Sequence, residues 1–355
     1  MYESIKLERF RGFQNFEIKG LSKVNLFTGS NGAGKSSVLE AVFLLSGGAN
    51  AALAATIAGV RGMENLSPGN ETLFKSLFSN LDFSVNCKVS GVYKNLSKSS
   101  DRSLTISPIL GALPSIPSTK VDSLLGVSFE FKGPRGIGKS EFAWSEAKSG
   151  ADPNKRSLQL GGQTAVNADL INAVYMSPSS RQQTAMLADL LGELVKKKRT
   201  RDLIAALQMV DKRVVDVLPL STGGEPEIVA DIGAETLFPL PLLGEGLRRI
   251  FEMGLYSLGS SFPVVLIDEI ENGMHYSVFE DLAKFILQTS IQTGHQFFIS
   301  THSREFLEAF SAVSEESKFT DMALFRVSAS SKTRTLTRFD SSQVQDLAEM
   351  HADLR

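Results

Sequence analysis

A chain of 355 residues with 42% apolar and 21% charged residues has room for one large α/β domain with insertions or for two domains, and its composition excludes a low-complexity or disordered chain. A formal charge of −2 gives no overall attraction to nucleic acid, so any such binding must rest on a local patch. One cysteine, Cys87, excludes an internal disulfide and a CxxC metal site. The N-terminal MYESIKLERF carries charge from its third residue, and apolar runs such as LEAVFLL fall far short of a bilayer span, so a soluble, cytoplasmic protein without a membrane partner is expected.

The first element that carries chemistry is GSNGAGKS, Gly29 to Ser36, a match to the phosphate-loop pattern GxxxxGK[ST]. The run KVNLFT before it reads as a buried strand. In SSVLEAVFLL after it, Val38, Leu39, Val42, Phe43 and Leu45 share a helical face. Strand, loop and helix are the context in which backbone amides and a helix N-terminus can wrap phosphates. A second match, GPRGIGKS, Gly133 to Ser140, lies between GVSFEF and SEFAW, whose period of two predicts a β-hairpin turn and no nucleotide site. LSGG at Leu45 to Gly48 spells the start of an ABC-type signature but closes the first helix, where glycines serve as a C-cap. STGG at Ser221 to Gly224 reads as a loop before the strand EIVADI.

Residues 81–147 alternate repeatedly and predict antiparallel strands. Within them the Ser-rich KNLSKSSDRSLTISP and the following ALPSIPSTK predict a flexible insertion loop over about 94–120. Farther on, AVYMSP predicts a strand, and 184–218 predicts short helices interrupted by KKKRTR, Lys196 to Arg201. That basic run suits either a solvated turn or contact with a phosphate backbone. PLLGEGLRRIFEMGLYSL, Pro241 to Leu258, is a Gly-x-Gly turn opening a helix with Leu247, Ile250, Phe251, Leu255 and Leu258 on one side, and a glycine turn there is a ready anion site.

VVLIDEIENGMH then delivers Asp268 and Glu269 at the end of an apolar strand, which gives one acid for a metal shell and one to orient or deprotonate an attacking water. After a helix near Ser277 to Gln292, the strand in QFFISTHSREF ends at His302. A strand-end histidine is by itself more often structural, but its place after the acids suits contact with a terminal phosphoryl group. ALFRVS and TRTLTRF close the chain as a hairpin, followed by a terminal helix.

Taken in order, ERFRGFQNFEI, GSNGAGKSS, LLGEGLRR, LIDEIENGMH, STHSREFLEAF and the final HADLR resemble the AAA-annotated ATPases of the SMC/RecF/OLD branch of the ABC superfamily, a group that includes ATPase subunits of bacterial anti-phage systems. The resemblance implies an α/β, ABC-type P-loop NTPase head: a mixed sheet, an antiparallel β-rich N-terminal lobe (1–180), a short helical subdomain with a connecting strand (181–240) and a C-terminal lobe (241–355), without long coiled-coil arms. It implies a slow ATPase that uses ATP and Mg2+. Lys35 would hold the β and γ phosphates and Ser36 the metal, with Gly29, Asn31, Gly32, Ala33, Gly34 and Ser37 completing the loop. Asp268 would complete the metal shell, Glu269 would act on water and His302 would read the γ-phosphate.

Gly244, Glu245 and Gly246 would reach a partner protomer's ATP across a homodimer or a higher oligomer. Arg11 would touch the nucleotide, and either Gln182 or Gln183 would serve as the Q-loop glutamine. The signature lacks the serine of LSGGQ, since Leu243 stands there, and DEIEN in place of DEPT argues against a transporter subunit. OLD nucleases continue into a Toprim domain, whereas 53 residues follow His302 here, so a nuclease or toxin effector is expected on another chain. The alternative is a RecF-like DNA clamp in repair or replication, in which nucleic acid is the partner. A GTPase reading lacks an NKxD motif.

Overall fold

A computed structural model of the chain describes residues 1–63, 72–95, 98–111, 123–144, 158–164, 169–178, 184–259, 262–330 and 333–344. In chain order the strands are β1 (Tyr2–Phe10), β2 (Phe13–Lys19), β3 (Val24–Thr28), β4 (Cys87–Asn95), β5 (Lys98–Gly111), β6 (Ser123–Gly133), β7 (Gly136–Trp144), β8 (Leu158–Thr164), β9 (Ala173–Met176), β10 (Asp216–Thr222), β11 (Glu225–Asp231), β12 (Phe238–Pro239), β13 (Val264–Ile267), β14 (Gln296–Ser300), β15 (Met322–Ala329) and β16 (Arg334–Asp340). The helices are α1 (Lys35–Ser46), α2 (Leu53–Val60), α3 (Thr72–Lys75), α4 (Thr184–Lys196), α5 (Thr200–Gln208), α6 (Glu245–Leu258), α7 (Phe279–Thr293) and α8 (Arg304–Glu316).

These elements form two units. The first comprises residues 1–21, 31–171 and 327–336; the second comprises 22–30, 172–326 and 337–355.

The first unit is built on an antiparallel sheet in the order β2-β1-β4-β5-β6-β7-β8. Ile5, Leu7 and Phe10 of β1 are buried, as are Phe13, Phe16 and Ile18 of β2, while the polar residues between them are more exposed. Helix α1 belongs to this unit, and its Val38, Leu39, Val42 and Leu45 are buried. It stops at Gly47, and Gly48 follows with φ +62°, so LSGG is a helix end.

The polar stretch expected as a flexible loop is instead strand. Residues Lys94 and Asn95 finish β4, and Lys98–Gly111 is β5, paired with β4 and β6. Arg102, Leu104 and Ile106 point inward at a period of two, and the Ser, Thr and Asp residues between them face outward. Composition concealed the periodicity. Residues 112–122, which hold the remainder of the expected loop, lie outside the described residues.

A sheet in the order β16-β15-β3-β14-β13-β9, in which β15, β3, β14, β13 and β9 run parallel, has β3, β14, β13, β9 and most of β15 in the second unit, while residues 327–336 of β15 and β16 count with the first. Its central strands are buried on both faces, which is why VNLFT, VVLI and QFFIS read as near-continuous apolar runs. A smaller antiparallel sheet, β10-β11-β12, belongs to the same unit, and Gly223 and Gly224 form the β10–β11 turn with φ +63° and +90°. Helices α4 and α5 are short, with residues 197–199 of KKKRTR as the turn between them, and no coiled-coil arm is present among the described residues.

Helix α6 departs from the one-sided helix expected. Leu247 and every residue from Arg249 to Leu258 are buried, so it runs through the core of the unit and its charged residues need partners there. The predicted C-terminal helix begins at residues 341–344, and its remainder and HADLR fall outside the described residues beyond Val344. Among the described residues no helix is long and apolar enough to cross a membrane.

Candidate functional site

In the second unit the carboxyl ends of the parallel strands are level. Register pairs Ile267 with Met176 and Ile299, and Ile299 with Leu26, so β9, β13, β14 and β3 finish side by side at Met176, Ile267, Ser300 and Thr28. The carboxyl edge of an open parallel sheet is where α/β folds gather ligand-binding residues. The chain leaves β3 there into Gly29 and Ser30, leaves β13 into Asp268 and Glu269, and leaves β14 into Thr301 and His302.

The two acids have different surroundings. Asp268 is buried, and its carboxylate accepts hydrogen bonds from the Tyr175 hydroxyl at 2.9 Å and from the Ser300 hydroxyl. Two neutral donors fix its orientation and leave it a hard oxygen ligand of the kind magnesium takes. Glu269 adopts a left-handed backbone at φ +50°, rare for a residue with a long side chain, while its amide donates to Ser300 Oγ at 2.9 Å. Among the described residues no hydrogen bond holds the Glu269 carboxylate.

The strain is stabilised from behind. Arg249 of α6, buried, donates from one terminal nitrogen to the carbonyls of both Asp268 and Glu269 at 2.6 Å each. Burial pushes the Arg249 pKa down and the neighbouring acids push it back up, so the guanidinium serves as an internal counter-charge to the acidic turn. Beside it on α6, burial pushes the Glu252 carboxyl up, and Arg248 opposes that shift by an ion pair.

Glu271, two residues past Glu269, ties the acidic turn to the end of β14. Its carboxylate accepts from the His302 backbone amide at 2.6 Å and from the Thr301 hydroxyl at 2.8 Å. Ser303 then caps α8 by accepting from the Phe306 amide at 3.0 Å, so His302 is fixed between a strand end and a capped helix.

The signature turn packs on this same loop. Gly244 has φ +101° and opens α6, and a Cβ on Gly246 would lie 2.8 Å from the Gly273 carbonyl. Only glycine permits that approach. Gly244 and Glu245 are exposed, as is Leu242 just before them.

In the first unit the loop residues Asn31 to Ser36 lead into α1. Gly32 and Gly34 have φ +74° and +114°; Asn31 and Gly32 are exposed, Ala33 and Ser37 buried, and Lys35 is 4% exposed. Gly34 caps α1 without a side-chain hydrogen bond, and no acidic residue stands in the first turn, so the helix N-terminus is left for an anion. The Ser36 hydroxyl is another oxygen donor suited to magnesium.

Arg11 is engaged elsewhere in this unit. Its Nε lies 2.6 Å from the buried Glu40 carboxylate of α1, which Arg61 also holds at 2.6 Å, and its Nη1 donates to the Ser76 carbonyl at 3.0 Å. The guanidinium is built into a buried ion-pair cluster.

Gln182 and Gln183 lie outside the described residues. GPRGIGKS spans the β6–β7 hairpin, with Gly133 paired to Gly136 and Lys139 exposed in mid-strand beside Glu141. Among the described residues no group of three or more His, Cys, Asp or Glu side chains forms a metal cluster.

Sequence reasoning missed Tyr175, Arg249, Glu271, Ser300 and, on the phosphate loop, Arg334. Ser300 and Glu271 stand within the motifs themselves, so a hydroxyl and a third acid beside Asp268 and His302 were available signals. Arg249 likewise ends the LLGEGLRR motif, while Tyr175 and Arg334 come from distant segments.

Residues 4–168 match a family model described as an AAA domain, and residues 154–308 match one described as AAA domain, putative AbiEii toxin, Type IV TA system. The chain is 22% identical over 345 residues to a Helicobacter pylori protein named ATP/GTP phosphatase, with 90% of each covered. It is also 44% identical over 46 residues to the DNA replication and repair protein RecF of Idiomarina loihiensis, a match that covers 13% of each. Its fold is similar to that of an SMC head bound to the C-winged-helix domain of ScpA, with TM-score 0.54 and 14% identity over 96% of this chain and 97% of that one. An SMC head with an extended coiled coil, bound to the C-terminal domain of ScpA from Pyrococcus furiosus, gives TM-score 0.52 and 12% identity over 99% of each.

Proposed function

We propose that the chain is an AAA-domain ATPase of the SMC and RecF type, which binds Mg-ATP and hydrolyses it as a nucleotide-gated switch for a separate effector protein. The observation that carries the proposal is the contrast at the end of β13: Asp268 is fixed by two hydroxyl donors, whereas Glu269 is turned by a left-handed backbone and its carboxylate is left without a hydrogen bond among the described residues. Adjacent carboxylates in unlike environments take unlike roles. Asp268 and the Ser36 hydroxyl would hold the metal, Glu269 would orient the attacking water, and Lys35 with the amides of Gly32 to Ser36 would bind the phosphates. Bound magnesium would neutralise charge on the β and γ oxygens. His302, fixed through Glu271, contacts the terminal phosphoryl group.

Two copies associate head to tail around two nucleotides, and the exposed Gly244–Glu245–Gly246 turn of each addresses the nucleotide of the other. With no serine in that turn, contact falls to backbone amides and turnover is slow. The effector is a nuclease or toxin, and the setting is defence against phage; the description of the second family model, which names a putative toxin of a Type IV TA system, supports the toxin part of that reading. A DNA clamp of RecF type is the second reading, favoured by the short RecF matches and by the exposed Lys196, Lys197 and Lys198.

Purification of the Glu269→Gln chain from its native operon, with and without ATP, tests both readings. Turnover should fall by about 10²-fold or more while ATP still binds and the chain associates, with a stoichiometric protein held or released according to nucleotide. Unchanged turnover removes Glu269 from its role. DNA without a protein partner moves the assignment to the clamp.

A further inference from the structure

We infer that Arg334, the first residue of β16, is a positioning residue that turns the amides of the phosphate loop toward the nucleotide. The inference rests on the reading of Gly29 to Ser36 as the nucleotide site. Arg334 belongs to the same unit as loop residues Asn31 to Ser36. Its Nε donates to the Ala33 carbonyl at 2.9 Å, one terminal nitrogen donates to the Gly12 carbonyl, and the other reaches the Gly32 carbonyl at 3.5 Å. The guanidinium carbon stands 5.2 Å from the centre of the Phe13 ring, and the same ring meets the loop from the other side, since a Cβ on Gly34 would lie 2.5 Å from its edge. One side chain thus gathers the carbonyls of two consecutive loop peptides and the turn that packs beneath them.

The consequence follows from peptide geometry. In a trans peptide the C=O and N–H bonds point in opposite directions, so drawing the Gly32 and Ala33 carbonyls to the guanidinium sends the Ala33 and Gly34 N–H bonds to the opposite face. Amides aligned in this way form an anion-binding concavity, with the uncapped N-terminus of α1 beside them. The positive charge on the carbonyl side further polarises these peptides, and hydrogen bonds from a charged donor are stronger than neutral ones.

The residue type matters. Arginine can address three acceptors from one rigid planar fork while resting on an aromatic face, whereas lysine offers a single point of charge. The approach is close: a Cβ on Gly12 would fall 2.3 Å from the guanidinium, so a side chain there would have to displace the arginine tip.

The test uses the full chain and measures binding of ATP and of ADP by isothermal titration, together with steady-state turnover and melting with and without nucleotide. Arg334→Ala should weaken ATP and ADP alike, by about tenfold or more, because the loop amides serve the phosphates common to both. KM should rise more than kcat falls. The nucleotide-induced rise in Tm should shrink while the Tm without nucleotide stays near that of Arg338→Ala, a change at the next arginine along the strand. Arg334→Lys should recover part of the affinity, since charge returns without the fork. Should Arg334→Ala fold poorly, Arg334→Gln, which keeps the stem and one donor, must still bind nucleotide less tightly than the wild-type chain. A wild-type chain that binds and an Arg334→Ala chain that binds equally overturn the inference alone. A wild-type chain that binds neither nucleotide overturns the reading of the loop and the inference with it.

Discussion

The chain spells GxxxxGKS twice and folds it in two ways. GSNGAGKS leaves a strand buried along its whole length, turns through Gly29, Gly32 and Gly34 at φ +136°, +74° and +114°, and becomes α1 with Lys35 in its first turn. GPRGIGKS bridges β6 and β7: Gly133 pairs with Gly136, Lys139 stands opposite Glu130 in mid-strand, and the Ser140 hydroxyl is spent on the backbone of Ala49 and Ala51. In the second copy no helix follows, so no row of unsatisfied amides is offered and the lysine has no phosphate to reach. The eight letters therefore specify a site only together with the strand before them and the helix after them.

The largest expected effect separates the two lysines. Lys35→Ala should lower ATP affinity by about 100-fold, roughly 2.7 kcal/mol, measured by titration on folded protein. Lys139→Ala should leave affinity unchanged and cost almost nothing in stability, because an exposed ion pair such as Lys139–Glu141 contributes little. The reverse pattern would transfer the site to the hairpin.

A second, smaller contrast uses the strained glycines. Gly34→Ala places a Cβ 2.5 Å from the Phe13 ring at a φ that alanine resists, so it should lower both stability, by about 1–2 kcal/mol, and nucleotide affinity. Gly136→Ala, at φ +135° in the hairpin, carries similar backbone strain and should lower stability alone. Melting curves recorded with and without ATP for the two variants distinguish the outcomes, and equal ligand-induced shifts would show that Gly34 has no special place.

What the sequence made legible follows the same division between local and distant information. Buried parallel strands announce themselves as VNLFT, VVLI and QFFIS, and the acids and histidine at their ends are read directly from the chain. The supports of those residues are not: Tyr175 reaches Asp268 across 93 residues, and Arg334 reaches Ala33 across 301. Sequence spacing carries no signal for such pairs, because a parallel sheet brings together segments whose separation is set by the intervening helices. Arg11 has a partner of the same kind: its place beside the loop motif is legible in the sequence, whereas its ion pair with the buried Glu40 on α1 is not. In β5 the polar composition concealed an inward row of Arg102, Leu104 and Ile106, since alternation is the physical signal and average polarity is not.

The smallest effect concerns context once more, this time for the two histidines at the ends of β14. His302 follows its carboxyl end, with its amide fixed by Glu271; His295 precedes its amino end, is buried, and has no hydrogen bond to Nδ1 among the described residues. Burial lowers the His295 pKa, with nearby Arg199 acting in the same direction and a backbone hydrogen bond at Ser257 opposing both. A lowered folded-state value means that the unfolded chain binds the proton more readily, so stability is lost as pH falls through the ordinary imidazole pKa of about 6.5 and below. The slope from one such group cannot exceed about 1.4 kcal/mol per pH unit. Denaturant melts at successive pH values should show it, and His295→Gln should flatten it while leaving ATP turnover at pH 7.5 intact. His302→Ala should instead lower turnover at that pH. A His295→Gln chain whose stability still falls along the wild-type slope would place the titrating group elsewhere in the fold.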